Sequence, residues 1–349
     1  MTAMARAGHP SGSRSPLSRP GGAAPAQTAD FPSPSPWTGE GRGEGVFRVT
    51  PSGKAILGLG CAALDIVSEV ASYPAEDAEV RALAQSQRLG GNIANTLSVL
   101  SQLGHACAWC GTLGDDPVSE EILTALRGQG IDTRPARQLS GGRAPLSCVT
   151  LSRATGSRTI VHYRDLPELA AVDFAEVPLT SFAWLHFEGR HPAETALMLR
   201  DAARRRPDLP ISLEIEKTRP DLDRLFTGPR VLIFARAYAL TQGFQDPAAF
   251  LAAQWPRTTA KLLFLPWGEA GAYGQARQGP LRFAPAQGPA VVVDTLGAGD
   301  VFNGALIDGL LAGLGLEALL ARATALAGHK CGRDGLAGLV ASARAAGWQ

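Results

Sequence analysis

The stretch Val291-Val292-Val293-Asp294-Thr295-Leu296-Gly297-Ala298-Gly299-Asp300, continued by Val301-Phe302-Asn303-Gly304-Ala305-Leu306, decides how the chain is read. Three β-branched residues in a row predict the end of a buried strand. Gly297 and Gly299 let the backbone turn sharply without a Cβ penalty. Small or apolar residues then recur at Phe302, Ala305, Leu306, Gly309, Leu310 and Gly313, which is helical spacing. The expected unit is strand, glycine turn, helix, with the Asp300 carboxylate at the helix start. Unpaired N–H groups there attract phosphate. An acid beside a bound anion repels it, so Asp300 needs a reason to be there. It has one if it takes a proton from a nucleophile attacking that phosphate. The plainer reading, for any such stretch, is that Asp300 caps the helix and the glycines only turn the chain.

Composition narrows the classes. The chain has 349 residues, enough for one large α/β domain or two smaller ones. Apolar residues are 45% and charged residues 19%, so a sizeable core can be buried. A net charge of +1 argues against a basic face for nucleic acid. There is no run of about 18 apolar residues, so no membrane span is expected. The 5 cysteines, an odd number without an export signal, suit a reducing cytosol, and a cytoplasmic location is expected. Cys107-Ala108-Trp109-Cys110 has metal-ligand spacing but no second pair, and it sits in an apolar, strand-like run. Buried structural thiols are the expectation there, and no metal-ligating set is assigned.

Residues 1–50 are rich in Gly, Pro, Ser and Arg, as in Gly39-Glu40-Gly41-Arg42-Gly43-Glu44-Gly45. Such a segment buries too little apolar surface to fold. It is expected to be a disordered tail, or upstream sequence read from too early a start. The folded domain is expected over 51–342, with a C-terminal tail at 343–349. Ala55 to Leu59 reads as its first strand. Gly58-Leu59-Gly60-Cys61-Ala62-Ala63 imitates a dinucleotide fingerprint, but Leu64 to Val70 continues as strand where a helix should open, so that reading is rejected. Asp65 then lies inside an apolar run and must find donors, either sugar hydroxyls or backbone amides.

A second glycine turn, Arg88-Leu89-Gly90-Gly91-Asn92-Ile93-Ala94-Asn95, precedes a helix ending near Gly104. Asn92 and Asn95 offer both donors and acceptors, which suits vicinal hydroxyls; solvated amides are the plainer alternative. Strand-like runs at 106–110, 182–187, 211–215, 231–234 and 261–265 alternate with helix-like runs at 117–126, 192–205 and 247–254. That alternation predicts a parallel sheet covered on both faces. Ser147 to Ser152 and Arg158 to Tyr163 flank a glycine-bearing turn and predict a hairpin. Gly268, Glu269, Ala270 and Gly271 would allow a planar or phosphorylated ligand to approach closely, though composition permits a plain turn equally. No G-x-x-x-x-G-K-[ST] is present, which argues against a Walker-type NTPase.

The string Asp294 to Ala305 resembles the second signature of the ribokinase-like (PfkB-type) sugar kinases, and Arg88 to Asn95 resembles the first. Two signatures in order are more specific than either alone. Tyr73-Pro74-Ala75-Glu76-Asp77, Gly156-Ser157-Arg158-Thr159-Ile160, His186-Phe187-Glu188-Gly189-Arg190, Glu214-Ile215-Glu216-Lys217 and Gly328-His329-Lys330-Cys331-Gly332 extend the likeness, from about 55 to 339, toward the ketohexokinase branch of that family. The resemblance implies a three-layer α/β/α sandwich with a mostly parallel sheet and a discontinuous β-lid from about 64–89 and 145–166. It implies ATP as phosphoryl donor, with Mg2+ and K+, and a ketohexose phosphorylated at the 1-hydroxyl. Asp300 would be the base, a task for which a carboxylate of ordinary pKa is adequate because the transition state is loose, and the amides of Gly297, Ala298 and Gly299 the anion hole. Asp65, Gly91, Asn92, Asn95 and Asp300 would hold the sugar. Arg158 would meet ATP phosphates, and Gly268, Glu269, Ala270 and Gly271 would lie along the nucleotide with the Gly297–Gly299 turn. Asp77 would reach the partner subunit's sugar, which implies a homodimer through the lid. Ile93 stands where alanine is commoner, and the 1–50 segment is foreign to the pattern. Other members of the family act on ribose, nucleosides, fructose phosphates or keto-deoxy sugars. A non-catalytic sugar- or nucleotide-binding regulator on the same fold is the alternative from another class.

Overall fold

A computed structural model describes residues 55–349; the tail expected over 1–50 lies outside the described residues. The chain runs β1 (Ala55–Leu59), β2 (Ala63–Val70), β3 (Ala84–Gly90), α1 (Asn92–Leu103), β4 (Cys107–Cys110), β5 (Thr112–Leu113), α2 (Pro117–Gly128), β6 (Ile131–Asp132), β7 (Arg137–Gln138), β8 (Leu146–Ser152) and β9 (Arg158–Tyr163). It continues through α3 (Ala171–Ala175), β10 (Phe182–Glu188), α4 (Pro192–Arg205), β11 (Ile211–Ile215), β12 (Val231–Phe234), α5 (Arg236–Thr241), α6 (Pro247–Gln254), β13 (Leu262–Pro266), β14 (Gly271–Ala276), β15 (Arg282–Pro285), α7 (Ala298–Leu311), α8 (Leu316–Cys331) and α9 (Leu339–Ala345).

A nine-stranded sheet has the order β15-β14-β13-β12-β11-β10-β1-β4-β6, parallel except where β14 and β15 join antiparallel. Its strands alternate their side chains between two apolar layers, as period two requires. Ile56, Trp109, Ile233 and Phe264 pack with α1, α7 and α8 on one face. Leu57, Leu232, Phe234 and Leu265 pack with α4 and α6 on the other. Helix starts are written locally. Asp116 caps α2 and Asp246 caps α6, each followed by a proline whose missing N–H costs nothing there. Gly104, at φ 102, ends α1 by donating back to Leu100 and Ser101.

A separate four-stranded sheet, β3-β2-β8-β9, forms the lid. Asp65 faces Arg88 across β2–β3 and Ser147 across β2–β8, and Leu151 faces Arg158 across β8–β9. The strands of this sheet come from 63–90 and 146–163, and β8 and β9 form the expected hairpin.

Two expectations change. Val291, Val292 and Val293 are not strand but an exposed loop, 72%, 54% and 46% accessible. The sheet ends at β15, which Pro285 closes, so no neighbouring ladder is offered. The Val293 and Asp294 amides instead donate to the Cys331 carbonyl at the end of α8 (2.8 and 3.3 Å). Residues 343–349 are not a loose tail: α9 runs to Ala345, and the Trp348 indole donates to the Arg322 carbonyl at 3.1 Å. The Cys107 and Cys110 thiols, three residues apart on one strand, enter opposite apolar layers and cannot share an ion. Burial holds Cys110 up to about 12, with the Asp173 charge adding to it, so both are inert core thiols.

Candidate functional site

Two helix starts meet at the carboxyl end of the central sheet. Gly91 precedes α1 at φ 96, a conformation that excludes most side chains, and a Cβ there would collide with the Cys61–Ala62 backbone. Gly297 precedes α7 at φ 79, without any side-chain cap. Nothing lies within 4 Å of a Cβ built on Gly299, so the space above this turn is open. The Ala298 amide leans back to the Thr295 carbonyl at 3.3 Å.

Asp300 does not cap α7. It is the third residue of the helix, is buried, and accepts from Asn95 Nδ2 at 2.8 Å. Asn92 Nδ2 bridges Glu214 Oε2 (3.1 Å) and Glu216 Oε2 (3.2 Å), at the end of β11. Asn303, one helical turn beyond Asp300, donates to Glu214 Oε1 at 2.9 Å. Asparagine amides from α1 and α7 thus hold three carboxylates together. Burial, then the Glu214 charge, pushes Asp300 well above the ordinary carboxylate range, and the Asn95 hydrogen bond only partly offsets this. Burial, with Glu216 and Glu188 nearby, lifts Glu214 to about 8. The Asp300 carboxyl thus departs from the ordinary value that would already suffice for a base. The cause is long-range: the acids of β11 were not visible from the Asp300 motif.

Asp65 lies on β2 with its carboxyl against Gly90, within reach of the Ser147 hydroxyl. Burial raises it, while Ser147 and Arg88 pull the other way. Ser147 Oγ also meets His162 Nδ1 at 3.1 Å. Contacts thus run from Asp65 through Gly90, Gly91 and Asn95 to Asp300. Arg158, on β9, donates to Thr295 Oγ1 at 2.6 Å and so reaches the turn ahead of Gly297. Gly268, Glu269, Ala270 and Gly271 form the turn between β13 and β14; Glu269 pairs with Arg236 at 2.9 Å, and the Ala286 amide donates to Ala270. Asp77 stays apart, on the exposed loop between β2 and β3 at φ 62.

A cavity of about 1,040 Å³ lies along α8, between the Gln287–Pro289 loop and the C-terminal segment around α9. The Gln287–Pro289 loop, Ala321, Ala325 and Gly328 of α8, and Trp348 contribute to its walls. Small residues there leave room for a flat ring, and Gly328 has none to spare against the Gln287 backbone. Among the described residues, no three His, Cys, Asp or Glu side chains are grouped to hold a metal ion.

Sequence reasoning named Asp300, Asn92, Asn95, Asp65 and Arg158 but gave no role to Glu214, Glu216, Asn303, Arg88 or Lys330. The signal for Glu214 was present, a charge at the end of the buried run Ile211–Ile215, by the same logic that singled out Asp65.

A family model described as "pfkB family carbohydrate kinase" matches residues 56–341. This chain belongs to the pfkB carbohydrate kinase family. Mouse ketohexokinase is 37% identical over 295 residues, covering 82% of this chain and 99% of that protein. Among solved structures, the ribokinase of Arabidopsis thaliana, complexed with ribose and ATP, superposes with a TM-score of 0.68 at 19% identity, covering 81% of this chain and 94% of that one. Giardia lamblia ribokinase gives 0.70 at 17%, covering 84% and 98%. The pfkB fold thus accounts for the large parallel sheet, the flanking helices and the smaller lid sheet. No helix among the described residues is long and apolar enough to cross a membrane.

Proposed function

We propose that this pfkB kinase transfers the terminal phosphoryl group of ATP to a ketohexose, giving ADP and a sugar 1-phosphate, with fructose as the favoured acceptor. The observation that carries this is a single one: the Asp300 carboxylate is buried at the open start of α7, held by Asn95 from the helix that begins beside Asp65. The likeness to mouse ketohexokinase supports the choice of sugar.

In this reading, Asp65, Gly91, Asn92 and Asn95 orient the ketose so that its 1-hydroxyl points at Asp300. Asp300 accepts the hydroxyl proton as the new O–P bond forms and the bond to ADP breaks. The transition state is loose, so positioning and charge stabilisation do most of the work. The Gly297, Ala298 and Gly299 amides face the charge on the transferred group, and Arg158 adds a fixed cation. A base whose carboxyl is raised above its ordinary range is the stronger acceptor, provided cations at the phosphates let it ionise. Magnesium, when bound with ATP, would supply positive charge at the phosphates, and Glu216, at the rim of the carboxylate group, would be the residue to hold it. K+ enters on the family resemblance, and exchanging potassium for tetramethylammonium salts tests it. The turn at Gly268–Gly271 and the cavity beside α8 would take the nucleoside.

The kinase domain at 51–342 is proposed to act as a homodimer through the lid, with Asp77 crossing to the partner's sugar. The lid's outer surface supports this: Ile160, Val161 and Tyr163 on β9 and Leu83 before β3 are 45%, 68%, 52% and 51% exposed. A monomer by light scattering at micromolar concentration contradicts it. The deciding assay is ADP release against fructose, other ketoses, ribose, adenosine and fructose phosphates, with NMR locating the new phosphate. Turnover of fructose with phosphate on C1 is expected. Turnover of another acceptor keeps the chemistry and withdraws the ketohexose. ATP binding with no turnover of any acceptor favours a regulator.

A further inference from the structure

The lid touches the turn ahead of α7 from both of its edge strands. Arg158, on β9, bonds Thr295. Arg88, on β3, bonds the preceding residue, donating through one terminal nitrogen to Asp294 Oδ2 at 3.0 Å and to Asp334 Oδ1 at 3.1 Å. Asp294 shapes the start of the turn. Its Oδ1 accepts the Leu296 amide at 2.8 Å, a local turn that delivers the chain into Gly297.

Asp294 does not need Arg88 for its charge. Lys330 is fully buried, and its ammonium lies 2.9 Å from Asp294 Oδ2 and 2.8 Å from the Asp294 carbonyl. That pair is complete and dry, and separating it would strand a buried charge. Arg88, by contrast, is 18% exposed, and Asp334 is mostly in solvent. The Arg88 contact is therefore the one that can open while Lys330 and Asp294 stay together. At its other end Arg88 sits opposite Asp65 in the β2–β3 ladder. One guanidinium thus lies between the lid residue assigned to the sugar and the residue that sets the phosphate turn. Its Nε is buried without a partner among the described residues, so packing rather than full hydrogen bonding fixes it.

We propose that Arg88 is a positioning residue that couples lid seating to the phosphate turn, so that occupation of one favours the ordered form of the other. This rests on the kinase reading above for what each end binds. Coupling of this kind is reciprocal: the nucleotide must seat the lid as much as the sugar readies the turn.

The test uses hydrogen exchange on the full chain with Mg2+ and the non-hydrolysable analogue AMP-PNP, without sugar, beside ordinary kinetics. In the unmodified protein the analogue is expected to slow exchange at 294–300 and also at 84–90. In Arg88→Met the first protection stays and the second is lost, and fructose no longer improves analogue affinity. A several-fold rise in the ATP KM with a smaller change in kcat is the matching kinetic signature, and Arg88→Lys recovers part of it. Arg88→Gln, which keeps a polar head, replaces the methionine variant if that one folds poorly. Equal lid protection in the unmodified protein and the variants overturns the proposal, as does no lid protection in either. The two readings fail separately. Lid protection by AMP-PNP in a protein that turns over no sugar keeps the coupling and removes the substrate. Fructose turnover with uncoupled lid and turn does the reverse.

Discussion

Asp294 and Asp300 stand at the two ends of one turn, both buried, and their surroundings drive them in opposite directions. Burial pushes Asp294 up, but the Lys330 ammonium and its hydrogen bond, the Leu296 amide and Arg88 outweigh it and hold the carboxyl below its ordinary range. Burial pushes Asp300 up as well, and there Glu214 adds to the rise with only Asn95 opposing. The first carboxylate is an anchor and the second is held at a cost. The difference shows that burial alone does not distinguish a structural from a reactive acid; the sign of the neighbouring charges does.

The largest effect expected from breaking this contrast is at the reactive end. Asp300→Asn should lower kcat at least ~10²-fold, the scale of a positioned base, while raising the melting temperature at neutral pH. The sign is set by the raised pKa. Ionising Asp300 costs the folded state stability as pH climbs from the unfolded carboxylate value through the folded one, and asparagine removes that cost. The gain should vanish in acid below the ordinary carboxylate range, where the native group is already protonated. Near-normal turnover would remove Asp300 from the chemistry.

At the anchoring end, Asp294→Asn should act the other way, lowering stability by about 3–5 kcal/mol by stranding the buried Lys330 ammonium. Denaturant melts measure this. Lys330→Met with Asp294→Asn together should cost less than the aspartate change alone. The stabilising contribution of Asp294 is present above its unfolded pKa and is lost as pH falls through the depressed folded value. An unchanged melt would mean that the anchor is not one.

How much of this was legible in the chain depends on distance along it. The glycine turn, α7 and the Asn92–Asn95 helix start were readable because local backbone demands wrote them. The lid hairpin was readable from alternation and a turn. Val291 to Val293 misled because β propensity says what a residue tolerates, not whether a neighbouring strand is waiting. Glu214, Lys330 and Arg88 were missed as partners because they come to the turn from β11, α8 and β3, and no local spacing encodes that meeting. The altered pKa of Asp300 was hidden for the same reason.

A third change sharpens the comparison. Glu214→Gln removes the like charge beside Asp300, so the remaining acid should ionise more easily and the acid limb of kcat/KM should move to lower pH, by roughly one unit. An unmoved limb would place the titration elsewhere. The smallest expected effect is at Arg158→Ala, which should raise the ATP KM about tenfold, the loss of one charged hydrogen bond. It should leave the acid limb in place, since Arg158 is not among the charges that set Asp300.

The two sheets also end differently. The central sheet stops in two-residue β6 at one margin and at Pro285 of β15 at the other, both poor templates for a further strand. β9 closes the lid with six exposed residues, among them Ile160 and Val161, and its outer main chain has no strand beside it among the described residues. Such a margin is adhesive whether or not a proper partner arrives. Recruitment of another extended chain by this margin is at least bimolecular, so a stock of this protein should suffer as it is concentrated. A lysine at Val161 would be the single change to make before storage or crystallisation.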